Sequence, residues 1–126
     1  MDLPVPKIEI SVKTQYLEAQ SHPDEERYLF TYTITIVNHG SMAVTLRSRH
    51  WIIHHDEQTR EEVFGDGVIG NFPYLKAGES YTYSSGTVMR NPIGSMEGSY
   101  DFISNDGVKF TVPIPLFTLI IPSKLH

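Results

Sequence analysis

The chain has 126 residues, 40 % of them hydrophobic and 20 % charged, with 15 acidic and 10 basic side chains giving a formal charge of −5. That length suits one domain with a buried core, residues 1–126, and the composition does not fit a wholly disordered chain. The acidic balance argues against a nucleic-acid partner, and the absence of cysteine removes disulfide scaffolds, thiolate zinc sites and cysteine nucleophiles together.

No stretch approaches the roughly 18 apolar residues a spanning helix needs, so no membrane partner is expected. Met1-Asp2-Leu3-Pro4 has neither the basic nor the apolar region of a secretory signal. The expectation is a soluble cytoplasmic domain with residues 1–6 as a flexible N-terminus.

Along the chain the dominant period is two. Ile8, Ile10 and Val12 alternate with charged and polar residues, which predicts a half-buried strand. After the polar break 21–26, Tyr28, Phe30, Tyr32, Ile34 and Ile36 share one face of a second strand and Thr31, Thr33 and Thr35 the other. Asn38-His39-Gly40-Ser41 supplies a turn. Val44 to His55 reads as a third strand, with Val63-Phe64 in its hairpin partner. A glycine- and proline-rich loop runs from Gly65 to Gly78. Tyr81 and Tyr83 open the next strand, which ends near Gly86. Gly98 to Ile103 and Val108 to Ile114 follow as a hairpin around Ser104-Asn105-Asp106-Gly107.

The last run, Pro115 to Pro122, is apolar on both faces, and its prolines favour an edge position or a strand that switches sheets. It is either covered within the fold or paired with its copy in a homodimer. Seven to eight short strands without a capped helix predict an all-β antiparallel sandwich of immunoglobulin or fibronectin type III kind. Without the Cys…Trp…Cys signature the fibronectin-like variant is favoured, with Trp51 packed between the sheets.

Three segments could carry chemistry. Gly65-Asp66-Gly67-Val68-Ile69-Gly70 matches G-x-G-x-x-G, but Pro73 follows closely and no βαβ unit surrounds it, so dinucleotide binding of the Rossmann type is disfavoured. A plain turn and a backbone nest for an anion both remain open. His54, His55 and Asp56 could contribute to a weak divalent-metal site or be ordinary surface residues. His50 and His54 lie about 13 Å apart on a strand, too far to share one ion. In the loop, Phe72, Pro73, Tyr74 and Leu75 either plug the end of the sandwich or contact a partner. No catalytic constellation is found, and no cofactor is implied.

Several motifs in order resemble those of the ApaG (DUF525) family over nearly the whole chain. They are Phe30-Thr31-Tyr32-Thr33-Ile34, Leu46 through Ile53, Glu62-Val63, Gly65 through Gly70, Pro73-x-Leu75 and Gly78-Glu79. Tyr83 through Gly86, Gly94-x-Met96-x-Gly98-x-Tyr100 and Pro115-Leu116-Phe117-x-Leu119 complete the set. The resemblance implies a fibronectin type III-like sandwich, an association with cobalt and magnesium homeostasis, and a non-enzymatic, protein-binding role. It also implies a pyrophosphate or nucleotide ligand as an alternative, at Gly65, Gly67 and Gly70 with Arg47 and Arg49 as phosphate partners. The chain departs from the family pattern at Phe72, where glutamine is usual, at Ala77 in place of proline, and at His54-His55 in place of Thr-Asp.

Overall fold

The computed structural model describes residues 7–125; the expected flexible segment 1–6 lies outside the described residues. Eight strands follow in order: β1 (Ile8–Tyr16), β2 (Tyr28–Asn38), β3 (Val44–His54), β4 (Arg60–Asp66), β5 (Tyr74–Leu75), β6 (Ser80–Met89), β7 (Ile93–Ser104) and β8 (Lys109–Ile120). They form two antiparallel sheets. One has the order β1-β2-β6, the other β4-β3-β7-β8, with the short β5 also paired to β3. No helix among the described residues is long and apolar enough to cross a membrane.

The period-two pattern explains the core. Phe30, Tyr32, Ile34 and Ile36 of β2 are buried against Val44, Leu46, Trp51 and Ile53 of β3 and Tyr100 and Phe102 of β7. Trp51 lies between the sheets, edge-on to Tyr32 at 5.4 Å and to Phe117 at 5.9 Å. Outward-facing threonines of β2 pair instead with hydroxyls of β6, Thr33 with Ser84 at 2.7 Å and Thr35 with Thr82 at 3.0 Å. Such cross-strand hydroxyl pairs stabilise a solvated sheet face.

Three strand expectations need correction. The strand opened by Tyr81 continues past Gly86 to Met89, and the next begins at Ile93 rather than Gly98. Both extensions rest on ladder pairing to β2 and β3, which glycine does not interrupt. Gly98 is required by close approach, since a Cβ there would stand 2.1 Å from the His50 carbonyl oxygen. The apolar run from Pro115 is not a separate strand but the second half of β8. Opposite Pro115 and Leu116 the β7–β8 register slips, Met96 pairing with Phe117 and Gly98 with Ile114. This bulge lets one edge strand carry Pro113 and Pro115 without breaking off. Its core face holds Ile114 and Leu119, while Leu116 faces solvent.

Candidate functional site

The loop from Gly65 to Gly78 begins with a bulge on the neighbouring strand. The register of β3 against β7 slips between Leu46 and Ser48, leaving Arg47 as the extra, exposed residue. One added residue reverses the side-chain alternation. Arg49 therefore lies on the same side of β3 as Trp51 and Ile53, facing inward. Its Nη1 donates to the carbonyls of Asp66 at 3.0 Å and Gly67 at 2.9 Å. Gly65 pairs with Arg49 in the ladder and leaves the space its guanidinium fills.

Three amides of the glycine turn have backbone partners. Gly67 N–H donates to Arg47 O at 2.8 Å, while Val68 and Asn71 exchange two bonds of 2.9 Å. Between them, Ile69 and Gly70 both take positive φ, 46° and 74°, as the central residues of a tight turn. Gly67 also has positive φ, and a Cβ there would meet Asn71 O at 2.2 Å. The loop thus offers carbonyls to Arg49, gives the Gly67 amide to β3 and spends the Val68 and Asn71 amides within itself. Of the two arginines named as phosphate partners, Arg49 holds the loop from inside and Arg47 lies outside, with Cζ 5.5 Å from the Phe72 ring centroid.

Beyond this turn the chain becomes the short strand β5, and alternation divides its residues. Pro73 and Leu75 are buried, whereas Phe72 and Tyr74 are about half exposed. The segment is well anchored. Leu46 N–H donates to Pro73 O at 2.9 Å, and buried Asn38 donates from Nδ2 to Leu75 O at 3.0 Å and Met42 O at 2.9 Å. Asn105 Nδ2 donates to the Tyr74 hydroxyl at 2.9 Å. Phe72, Tyr74 and Leu75 line a groove of 430 Å³ whose far wall is Glu79, Ser80 and Tyr81. The four-residue segment therefore both plugs the sandwich end, through Pro73 and Leu75, and presents aromatic surface. Sequence reasoning passed over Asn38 as an anchor and Tyr81 as a wall. A buried position at the end of the β2 alternation was the available signal for Asn38.

His54, His55 and Asp56 do not converge. His54 Nε2 faces Glu97 at 3.1 Å on the outer sheet surface. His55 is buried on the other side, its Nε2 at 3.1 Å from Glu61 and its Nδ1 accepting from Arg90 N–H at 3.3 Å. Asp56 accepts from the amides of Gln58 and Thr59 at 2.7 and 2.6 Å, and these bonds hold its carboxyl below the usual range. His50 stacks on exposed Phe64 at 4.1 Å and faces Glu62 at 3.3 Å. The Arg60 guanidinium, and then His50, lower the Glu62 carboxyl. Among the described residues no group of three or more His, Asp or Glu is placed to hold a metal ion.

Residues 18–104 match the sequence model of DUF525, the ApaG domain. The chain belongs to the ApaG family. It is 50 % identical over 119 residues to a protein named ApaG from Shewanella pealeana, covering 94 % of each chain. An ApaG from Pseudomonas syringae pv. tomato is 47 % identical over 120 residues, 95 % of each chain. A crystal structure described as the ApaA protein of Bordetella pertussis shares the fold with a TM-score of 0.90 at 41 % identity, covering 93 % of this chain and 95 % of that one. The sandwich expected from strand alternation is therefore the fold of this family.

Proposed function

We propose that this ApaG domain is a non-enzymatic, cytoplasmic binding module that engages a protein partner through the Gly65 to Gly78 loop. The observation that carries this reading is the division of labour in that loop. Pro73 and Leu75 are buried anchors, so Phe72 and Tyr74 stand half exposed beside a 430 Å³ groove on a backbone already held in place, which lowers the ordering cost of binding. Aromatic side chains on a pre-ordered support are common centres of binding energy. Phe72→Ala and Tyr74→Ala should each weaken capture of the partner in a pull-down, Phe72→Ala without lowering the melting temperature and Tyr74→Ala with a small loss from the missing Asn105 bond. Undiminished capture by both variants overturns the reading.

A pyrophosphate or nucleotide sensor is the second reading, and it has less support. An anion nest needs converging free amides, whereas the amides of Gly67, Val68 and Asn71 already have backbone partners. Arg47, exposed and next to the loop, is the feature in its favour. Calorimetry with ATP, then with Mg²⁺ and Co²⁺ separately, distinguishes the two and tests whether the implied cation association is direct.

A further inference from the structure

Each sheet has two edges, and an unpaired edge is a template for another strand unless charge, proline or a bulge protects it. Three of the four edges are protected. β1 carries Glu9 and Lys13, β4 is short and carries Arg60, Glu61, Glu62 and Asp66, and β8 carries Pro113, Pro115 and the bulge. The fourth is different. β6, Ser80-Tyr-Thr-Tyr-Ser-Ser-Gly-Thr-Val-Met89, has no charge and no proline over its ten residues, and its register with β2 is uninterrupted.

The hydrogen-bond phase of this edge follows from one contact. Asn38 N–H donates to Glu79 O at 3.0 Å, so odd-numbered residues of β6 turn their backbone toward β2. The N–H and C=O groups of Ser80, Thr82, Ser84, Gly86 and Val88 then point away from the sheet. None of them has a hydrogen-bond partner among the described residues.

Hollows follow one another beside this edge. The 430 Å³ groove of Phe72, Tyr74 and Leu75 adjoins Ser80 and Tyr81. A smaller cavity of 100 Å³ adjoins Tyr83 and Ser85, walled by Tyr32, Trp51 and Ile69, and Arg49 is the charged residue in its lining. Tyr81 and Ser85 are four residues apart, about 13 Å along a strand. An added strand would place side chains two alternations apart in these two hollows.

We propose that β6 is a docking edge on which an extended segment of a protein partner adds as a fourth strand. The segment carries an apolar side chain in the Phe72–Tyr81 groove and, four residues away, an acidic side chain facing Arg49. Main-chain bonds to Ser80, Thr82, Ser84, Gly86 and Val88 supply affinity, and the two hollows supply selectivity. This rests on the reading that the domain binds protein, and adds to it the geometry and chemistry of the bound segment.

The probe is a phage-displayed library of short linear peptides, selected on the intact protein. Selected peptides are expected to share an apolar residue spaced four from an aspartate or glutamate. In NMR titrations they are expected to protect the amides of Thr82, Ser84 and Gly86 from exchange. Ser84→Pro removes one outward N–H and the hydroxyl pair with Thr33 while sparing the backbone hydrogen bonds to β2, and should weaken binding about tenfold. Because that variant also alters the protein, a second measurement uses the peptide alone. N-methylation at alternate positions should abolish binding in one phase and leave it unchanged in the other. Peptides that lose affinity on Phe72→Ala but ignore Ser84→Pro and both methylation phases overturn strand addition while keeping the loop as the contact. Binding lost to neither set overturns both readings, and a library that yields no edge-dependent peptide overturns this one. Sedimentation showing a dimer that Ser84→Pro dissociates gives the edge to a second copy and likewise overturns it.

Discussion

Tyr83 of β6 and Tyr100 of β7 are hydrogen-bonded hydroxyl to hydroxyl across the interior of the sandwich. They belong to different sheets, so the bond ties the two layers together at a point where both rings are buried. Removing one hydroxyl leaves the other buried without a partner, which costs about 1–3 kcal/mol, whereas removing both can be nearly neutral. Tyr83→Phe and Tyr100→Phe should therefore each destabilise, and the double variant should recover most of the loss. Urea unfolding of the four proteins checks this. A double variant as unstable as the sum of the singles counts against it.

The same pair sets an alkaline limit. Burial raises the ionisation of both hydroxyls above the ordinary tyrosine range. In the unfolded chain they ionise near pH 10 or so, while in the folded chain they stay protonated. Above about pH 10 the unfolded state binds fewer protons, so stability falls as pH rises; below it, both states are protonated and the pair adds no pH dependence. Unfolding midpoints measured from pH 8 upward should bend downward near pH 10, and the double phenylalanine variant should bend less.

Arg49 and the glycine loop form a second coupled pair. Its Nη1 holds the carbonyls of Asp66 and Gly67, and hydrogen bonds from a charged donor contribute about 1.5–3 kcal/mol. Arg49→Ala should lower stability by an amount of that order and speed amide exchange at Gly67 and Val68. Gly65→Ala should produce part of the same effect, because a Cβ there would stand 2.6 Å from the Arg49 guanidinium and push it off the carbonyls. Exchange at Ile34 and Ile36, far along β2, should stay slow in both.

How much of this was legible in the sequence depends on what each feature needs. Strand alternation marked the core face of β2 directly, because burial repeats with the side-chain period. Trp51 between the sheets followed from the expected sandwich type rather than from alternation, which continued from Val44 and Leu46 would have turned it outward. The β3 bulge after Leu46 has no signature in residue type, so the inward turn of Arg49 was not readable, and the arginine appeared free for a phosphate. The pairings His54–Glu97 and His55–Glu61 depend on register and turn geometry, which join residues 43 and 6 apart. For the 72–75 segment, the sequence left plug and exposed surface as alternatives. The two-residue strand β5 divides them between alternate side chains, with Pro73 and Leu75 buried and Phe72 and Tyr74 exposed.

Ile69 offers the clearest separation of stability from binding. It is a β-branched residue at φ 46° and more than half exposed, so no burial compensates its strained backbone. The left-handed conformation costs a non-glycine residue about 1–2 kcal/mol, and asparagine followed by glycine is the favoured pair for this turn. Gly70 already occupies the second place. Ile69→Asn should therefore raise stability by about 1 kcal/mol, read as a higher urea midpoint at unchanged slope. Ile69 also walls the cavity that holds Arg49 beside β6. If the strain is retained because the side chain touches a partner, the stabilised variant should bind edge-selected peptides more weakly than the wild type. A variant both more stable and equally competent would show that Ile69 serves neither the fold nor the docking edge.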